Sequence, residues 1–284
     1  MDFEEWLLAT ISWEFSSWKV LEFQKHHSDS KLCIKNLILS LDERFPVDQW
    51  IHERKTLFKE CQEYGIQWVH CLHKDYPQNL LKLENPPVLL SYIGEMCWSD
   101  NLSKSLSVVG SRHPDPQSLK WMELHLSALL AQMPMTVISG GARGIDLMAH
   151  LIAMRRQCPT VAWMPSGLFQ IYPNGLKRWM GDIKNSGGAF LSSFPPHQPM
   201  FKWQFHIRNE LIAAFSSHLL VVEARRRSGT MVTAQKAQEL DVKILVVPSS
   251  AMSLSGLGGL DLLADGATLI RDRDDLLVAL TSGV

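Results

Sequence analysis

The chain has 284 residues, 46% of them hydrophobic and 20% charged, with a formal net charge of −1. These values describe a globular protein of about two domains, or one large one, and no apolar run reaches the roughly 18 residues that a membrane-spanning helix needs. The cysteines (Cys33, Cys61, Cys71, Cys97, Cys158) are scattered and form no CxxC pair, which argues against a zinc site or a disulfide frame and fits reduced thiols in a cytoplasm.

The acidic start MDFEEWLLAT argues against a secretory signal. The small net charge hides an asymmetry: residues 1–100 hold 10 basic and 16 acidic residues, so the remainder holds 28 − 10 = 18 basic and 29 − 16 = 13 acidic ones. A basic part hints at a polyanion, although such an excess also describes an ordinary solvated face.

Residues 1–72 read as helical. Phe3, Trp6, Leu7, Trp13, Trp18, Val20 and Leu21 recur at helical steps. Leu32, Ile34, Leu37, Ile38 and Leu41 continue the pattern, as do Trp50, Ile51, Leu57 and Phe58, with breaks at Pro46 and Gly65. The expected product is a small helical domain whose tryptophans form core. From His73 the prolines at 77, 86 and 87 disfavour long helix, and Val88–Ile93 reads as a strand leading into a second domain over 73–284.

Beyond residue 105, strands and helices alternate. Strands are expected at 106–109, 136–138, 160–163, 189–191, 218–223, 244–247 and 268–270. Helices are expected at 115–132, 145–156, 175–185, 204–215, from 230 to about 241, and after 259 and 270. Strands that are apolar on both faces and alternate with helices predict an α/β fold with a mostly parallel, doubly wound sheet.

In such a sheet, ligands collect beyond the C-terminal strand ends. Here those ends carry Gly110-Ser111-Arg112, the loop Ser139-Gly140-Gly141-Ala142-Arg143-Gly144, Gly167 with Tyr172-Pro173, and the run Arg225 to Thr230. Glycines let an anion approach the backbone, and guanidinium forks match phosphate geometry. The second loop reads either as a phosphate cradle or as a tight turn with a solvated arginine. Asp146, just inside the following helix, reads as a loop-bracing carboxylate before it reads as a general base. The GxGxxG and GxxxxGK[ST] patterns are absent, as are metal-ligand spacings and a paired His and Asp for a nucleophile. The segment Lys202-Trp203-Gln204-Phe205-His206-Ile207-Arg208-Asn209-Glu210 interleaves cations with aromatics, as single-strand grooves do. Its alternative is that Trp203 and Phe205 pack in the core.

Together these motifs resemble the bacterial DNA-processing protein family DprA, also called Smf. The matching stretches are VVGSR at 108–112, SGGARGID at 139–146, SGLFQIYP at 166–173, FHIRNELIAAFS at 205–216, LLVVEARRRSGTMVTAQKAQE at 219–239, VVPSS at 246–250 and DGATLI at 265–270. YPQNLLKLENPPVLLSYIGE at 76–95 resembles the family's lead-in. The resemblance implies an extended Rossmann-like fold, a role without enzymatic turnover, metal or cofactor, and binding of single-stranded DNA. It also implies help in loading a RecA-type recombinase during natural transformation, and a homodimer through the C-terminal part of the Rossmann-like domain.

Carried over by position, the implied DNA- or phosphate-binding residues form four groups. They are Gly110, Ser111 and Arg112; Ser139, Gly140, Gly141, Arg143 and Gly144; Lys202, Phe205, Arg208 and Asn209; and Arg227, Ser228, Gly229 and Thr230. In this picture Phe205, with Trp203 beside it, stacks a base. The departures are Gly141 for a leucine, His206 for a proline, Glu210 for a second arginine, PSS for PGS at 248–250, and Gly258-Gly259-Leu260 for Gly-x-Asn. The family's C-terminal winged helix is expected to be missing, and the N-terminal region suggests a SAM-like or helix-hairpin-helix-like bundle. A second hypothesis is a nucleotide-processing enzyme, resembling a nucleoside-monophosphate phosphoribohydrolase, with Glu223 and Arg227 as its catalytic candidates.

Overall fold

The computed structural model describes residues 1–14, 38, 42, 44–98 and 105–282. Helix α1 (Phe3–Thr10) starts at a capping box: the Asp2 carboxylate accepts from the Glu5 N–H, and the Glu5 carboxylate accepts from the Asp2 N–H. Helix α2 (Val47–Tyr64) stops at Gly65, whose φ of 83° only glycine adopts without strain. Trp6 is fully buried against the rings of Trp13, Phe58 and Trp68, so the N-terminal aromatics are core. The expected helical positions Trp18, Val20, Leu21, Leu32, Ile34, Leu37 and Leu41, and Cys33, lie outside the described residues.

The helical reading of residues 1–72 fails at its end. Gln67–His70 is a strand, β1, antiparallel to β2 (Leu89–Gly94). Gly65 releases the chain from α2, and a run of four residues is too short to display an alternating pattern.

Seven more strands follow: β3 (Ser105–Val109), β4 (Thr136–Ser139), β5 (Thr160–Trp163), β6 (Ala189–Ser192), β7 (His218–Val221), β8 (Lys243–Val246) and β9 (Thr268–Leu269). All form one sheet in the order β1-β2-β6-β5-β4-β3-β7-β8-β9. The β1–β2 and β2–β6 pairings are antiparallel and every other pairing is parallel. Strands β2 to β7 are buried throughout, which requires apolar cover on both faces.

The cover comes from helices on both sides. Helix α3 runs from Pro116–Trp121 through a π-turn at Met122–Leu126 to Ser127–Gln132. Then come α4 (Ile145–Arg155), α5 (Met180–Asn185), α6 (Gln204–Phe215), α7 (Gly229–Glu239), α8 (Leu257–Ala264) and α9 (Arg273–Thr281). Met122, Leu126, Ile145, Ile152 and Leu276 pack with Val108 and Leu220 on one face. Leu211, Phe215 and Ala234 pack with Val109, Trp163 and Val221 on the other, continuous with the N-terminal aromatics.

Phe215 joins α6 to this second face, meeting Trp163 edge-on at 5.4 Å and Trp98 at 6.1 Å. Phe215→Ala is expected to destabilise the fold by about 3–5 kcal/mol, because the lost rings' contacts leave a cavity that collapses only in part. A fall in the urea midpoint at unchanged slope checks this.

Candidate functional site

Strands β3 to β7 are parallel, so the loops after them emerge along one edge of the sheet. From β3 the chain runs outward through β4, β5 and β6; it then returns to place β7 on the other side of β3. The crevice at such a reversal is where open α/β sheets take ligands. A trough of about 1200 Å³ opens there, and it draws on every one of these loops. Gly110, Ser111, Arg112 and His113 come from the loop after β3, and Ala142 and Asp146 from the β4–α4 turn. Tyr172 follows β5. Met200, Lys202, Phe205, His206, Arg208 and Asn209 follow β6, and Arg225 to Thr230 with the first turns of α7 follow β7.

The charges in this trough are unequal. Six lining residues are Lys or Arg (112, 202, 208, 225, 226, 227) and two are acidic (Asp146, Asp265). Arg208 pairs with Asp146 at 3.6 Å, and Arg226 makes a two-pronged pair with Asp261 of α8 at 2.7 and 2.9 Å. Arg112, Lys202, Arg225 and Arg227 have no ion pair among the described residues, so four cations face solvent in one concavity. Arg225 belongs to the run Arg225 to Thr230 that the sequence marks at this strand end, although the resemblance carries over only Arg227 to Thr230. Glu210, which stands where the family has a second arginine, faces Lys236 of α7, 3.9 Å away, and does not line the trough.

The Arg208–Asp146 pair is buried, with Arg208 only 4% exposed. Burial drives the Asp146 carboxyl up and the Arg208 guanidinium down from their ordinary values, and each is opposed by the other's charge. The backbone of Ala142 and Gly140 lies near enough to Asp146 to favour its charged form, so this carboxylate sits against the glycine loop. Arg112 lies near enough to push Arg208 down further. The Arg112 and Arg208 guanidinium carbons stand 5.2 and 5.5 Å from the Phe205 ring centre, and Tyr172 meets that ring edge-on at 5.9 Å.

The glycine loop has a different geometry from a phosphate cradle. A Cβ on Gly140 would lie 1.4 Å from an Arg208 nitrogen, and one on Gly144 (φ 89°) would lie 2.4 Å from the Ser111 carbonyl. Their missing side chains make room for Arg208 and for the loop after β3, where the Ile145 N–H donates to the Ser111 carbonyl at 3.1 Å. The Ser139 hydroxyl donates to the Val108 carbonyl in the core. Ser139, Gly140, Gly141, Arg143 and Gly144 do not line the trough; Arg143 is exposed on the adjoining turn.

Across the crevice, Ser228 caps α7, accepting from the Met231 N–H and donating to the Arg225 carbonyl. Asn209 ties α6 to that helix start by donating to the Gly229 carbonyl at 3.2 Å. The Met231 and Val232 N–H groups bond to Ser228, which leaves Gly229 and Thr230 at the helix start lining the trough, where the helix dipole favours an anion. Glu223 is buried, and its Oε2 accepts from the Asp115 N–H and the Ser118 hydroxyl. It fastens β7 to the start of α3 and does not line the trough.

Behind the pair, His150 is fully buried. The Thr160 hydroxyl donates to the Val137 carbonyl, so its oxygen accepts from the His150 Nδ1–H at 2.7 Å and Nε2 keeps a bare lone pair. Burial, with Arg208 adding to it, pushes this imidazole down to about 3.

Two outcomes follow from this interior. Arg208→Met leaves the Asp146 carboxylate buried without its partner and is expected to cost about 3–5 kcal/mol in urea denaturation. Because the folded His150 titrates about 3 against 6.5 for a free histidine, unfolding takes up a proton between those values. Its contribution is complete above the unfolded pKa and is lost as the pH falls. Wild-type protein should lose about 2 kcal/mol between about pH 7 and about pH 5 that a His150→Asn variant does not, read from urea midpoints at the two pH values.

A family model for DNA recombination-mediator protein A matches residues 67–281, which span the sheet from β1 to β9. Protein Smf of Synechocystis sp. is 30% identical over 241 residues, covering 82% of this chain and 60% of that protein, so the chain spans less than two thirds of this relative. The crystal structure of DNA processing protein A from Streptococcus pneumoniae matches with a TM-score of 0.78 at 26% identity, covering 98% of this chain and 97% of that one. A Helicobacter pylori DNA processing protein A, solved for insight into its unique single-stranded DNA binding mode, matches with a TM-score of 0.64 at 26% identity, covering 76% of this chain and 96% of that one. The family match and the shared fold agree, and this chain belongs to the DNA recombination-mediator protein A family.

Proposed function

We propose that the trough holds single-stranded DNA and that the protein delivers this strand to a RecA-type recombinase during DNA uptake, acting without turnover. The observation that carries the reading is the gathering of Arg112, Lys202, Arg225 and Arg227, all without acidic partners among the described residues, around one crevice. Backbone phosphates dock on these cations and on the N–H groups at the start of α7. Gly110 and Ser111 line the same wall, where the missing Cβ of Gly110 makes room for Ile145 beneath the loop after β3. Phe205, already packed with guanidinium groups, supplies a ring for a base. Ser139 to Gly144 act as the scaffold under this floor, with Arg143 as an outlying cation. The relative from Helicobacter pylori, described by its single-strand binding, supports the choice of ligand. The working unit is a cytoplasmic homodimer joined through the C-terminal part of the Rossmann-like domain.

Arg112→Ala and Lys202→Ala should each weaken binding of a labelled oligothymidylate. Each should also lower the slope of log affinity against log salt by about 0.7, because one phosphate contact is removed. Fluorescence anisotropy across a salt series measures both. Wild-type affinity and slope in both variants would show that the strand does not run through the trough.

A further inference from the structure

Beside the trough, where the chain leaves β6 and enters α6, three consecutive side chains stand in solvent. Phe201 is 47% exposed, Lys202 is exposed, and Trp203 is 53% exposed. They are held there by Gln204, which is completely buried. The Gln204 N–H donates to the Phe201 carbonyl at 3.1 Å, and its Oε1 accepts from the Phe201 N–H. The turn is thus closed from both directions by one anchored residue. Trp203 meets the described structure's aromatic rings only at Phe194, edge-on at 5.8 Å. Ile207, 38% exposed, lies one helical turn further along, and His206, three residues on, lines the trough.

Large rings kept out of water are the ordinary outcome of folding, and a fixed turn that holds two of them outward marks a surface that meets something else. The order aromatic, cation, aromatic and the neighbouring unpaired cations of the trough favour an anionic polymer with flat, apolar faces. We propose that Phe201 and Trp203 form a stacking platform for the bases of an unpaired strand where it leaves the trough, with Lys202 between them on a phosphate. This rests on the reading of the trough as a single-strand site and extends it by a second, base-dependent contact. Because paired bases are already stacked on one another, the platform selects unpaired strand over duplex.

The experiment compares Trp203→Ala, Phe201→Ala, Trp203→Phe and Arg112→Ala with wild type. Each binds a labelled oligothymidylate of about 20 nucleotides and a strand of equal length whose bases are removed, read by fluorescence anisotropy. Trp203→Ala should weaken binding of the normal strand about tenfold, and Trp203→Phe should restore most of it. The loss should vanish on the strand without bases, whereas the Arg112→Ala loss should persist there. If Trp203→Ala and Phe201→Ala bind the normal strand like wild type while Arg112→Ala does not, the platform is refuted and the trough stands. An equal loss on both strands also refutes stacking, and assigns this turn to the sugar-phosphate backbone. If Arg112→Ala binds like wild type too, the trough reading itself has failed.

Discussion

The Asp146–Arg208 pair ties together two helices that pack on opposite faces of the sheet. Arg208 comes from α6 and Asp146 from the start of α4, and they meet over Gly140, where no side chain intrudes. Taking two charges out of water costs several kcal/mol per ion, so such a pair adds little net stability over a well-packed apolar one. What it adds here is registration. Asp146 sits against the backbone of Gly140 and Ala142, and Ile145, beside it, donates its N–H to the Ser111 carbonyl. The loops after β3 and β4 and the helix after β6 are thereby set at fixed spacing. Arg112 and Phe205 ride on these same segments, so the buried pair lies directly beneath two residues of the trough.

Pairing also decides which cations are available. The whole chain has a net charge of −1, which by itself gives no attraction for a polyanion. Arg226 is held by Asp261, and Lys236 by Glu210 and Glu239. Exposed pairs of this kind contribute little to stability. Their effect is on the local field: they remove charge from the outer wall and leave four guanidinium or ammonium groups facing inward. Within a Debye length of about 8 Å at physiological salt, a strand in the trough senses those groups and not the chain's total charge.

Much of the α/β part could be read from sequence because each buried strand is a short apolar run between turn signals, and α6 falls on the expected residues 204–215. Strand β1 could not be read, since four residues after a helix carry no period of their own. The site was legible as a set of loops but not as a set of roles. A glycine announces that something comes close, and the sequence does not say whether that is a phosphate or, as at Gly140, an arginine of the same chain. Arg208 and Lys202 look alike as cations in a basic-aromatic segment. Only the fold shows one buried on an aspartate and the other exposed, with no ion pair among the described residues. Phe205 and Trp203 divide in the same way, one inside the trough and one outside, because the buried amide of Gln204 sets the turn between them.

A strand held mainly by separate cations on preformed loops is held in a manner suited to transfer. Loops fixed by the buried pair, the Ser228 cap and the Asn209 contact need little ordering on binding, so the entropic cost falls mainly on the strand. Contacts to phosphates carry no sequence information, and each can be given up in turn as another protein competes for the backbone. A deep pocket for each base would instead have to be vacated all at once. The arrangement of a wide trough, four cations with no ion pair among the described residues and few aromatic rings therefore suits the role proposed above, in which an unpaired strand is accepted whatever its sequence and surrendered stepwise.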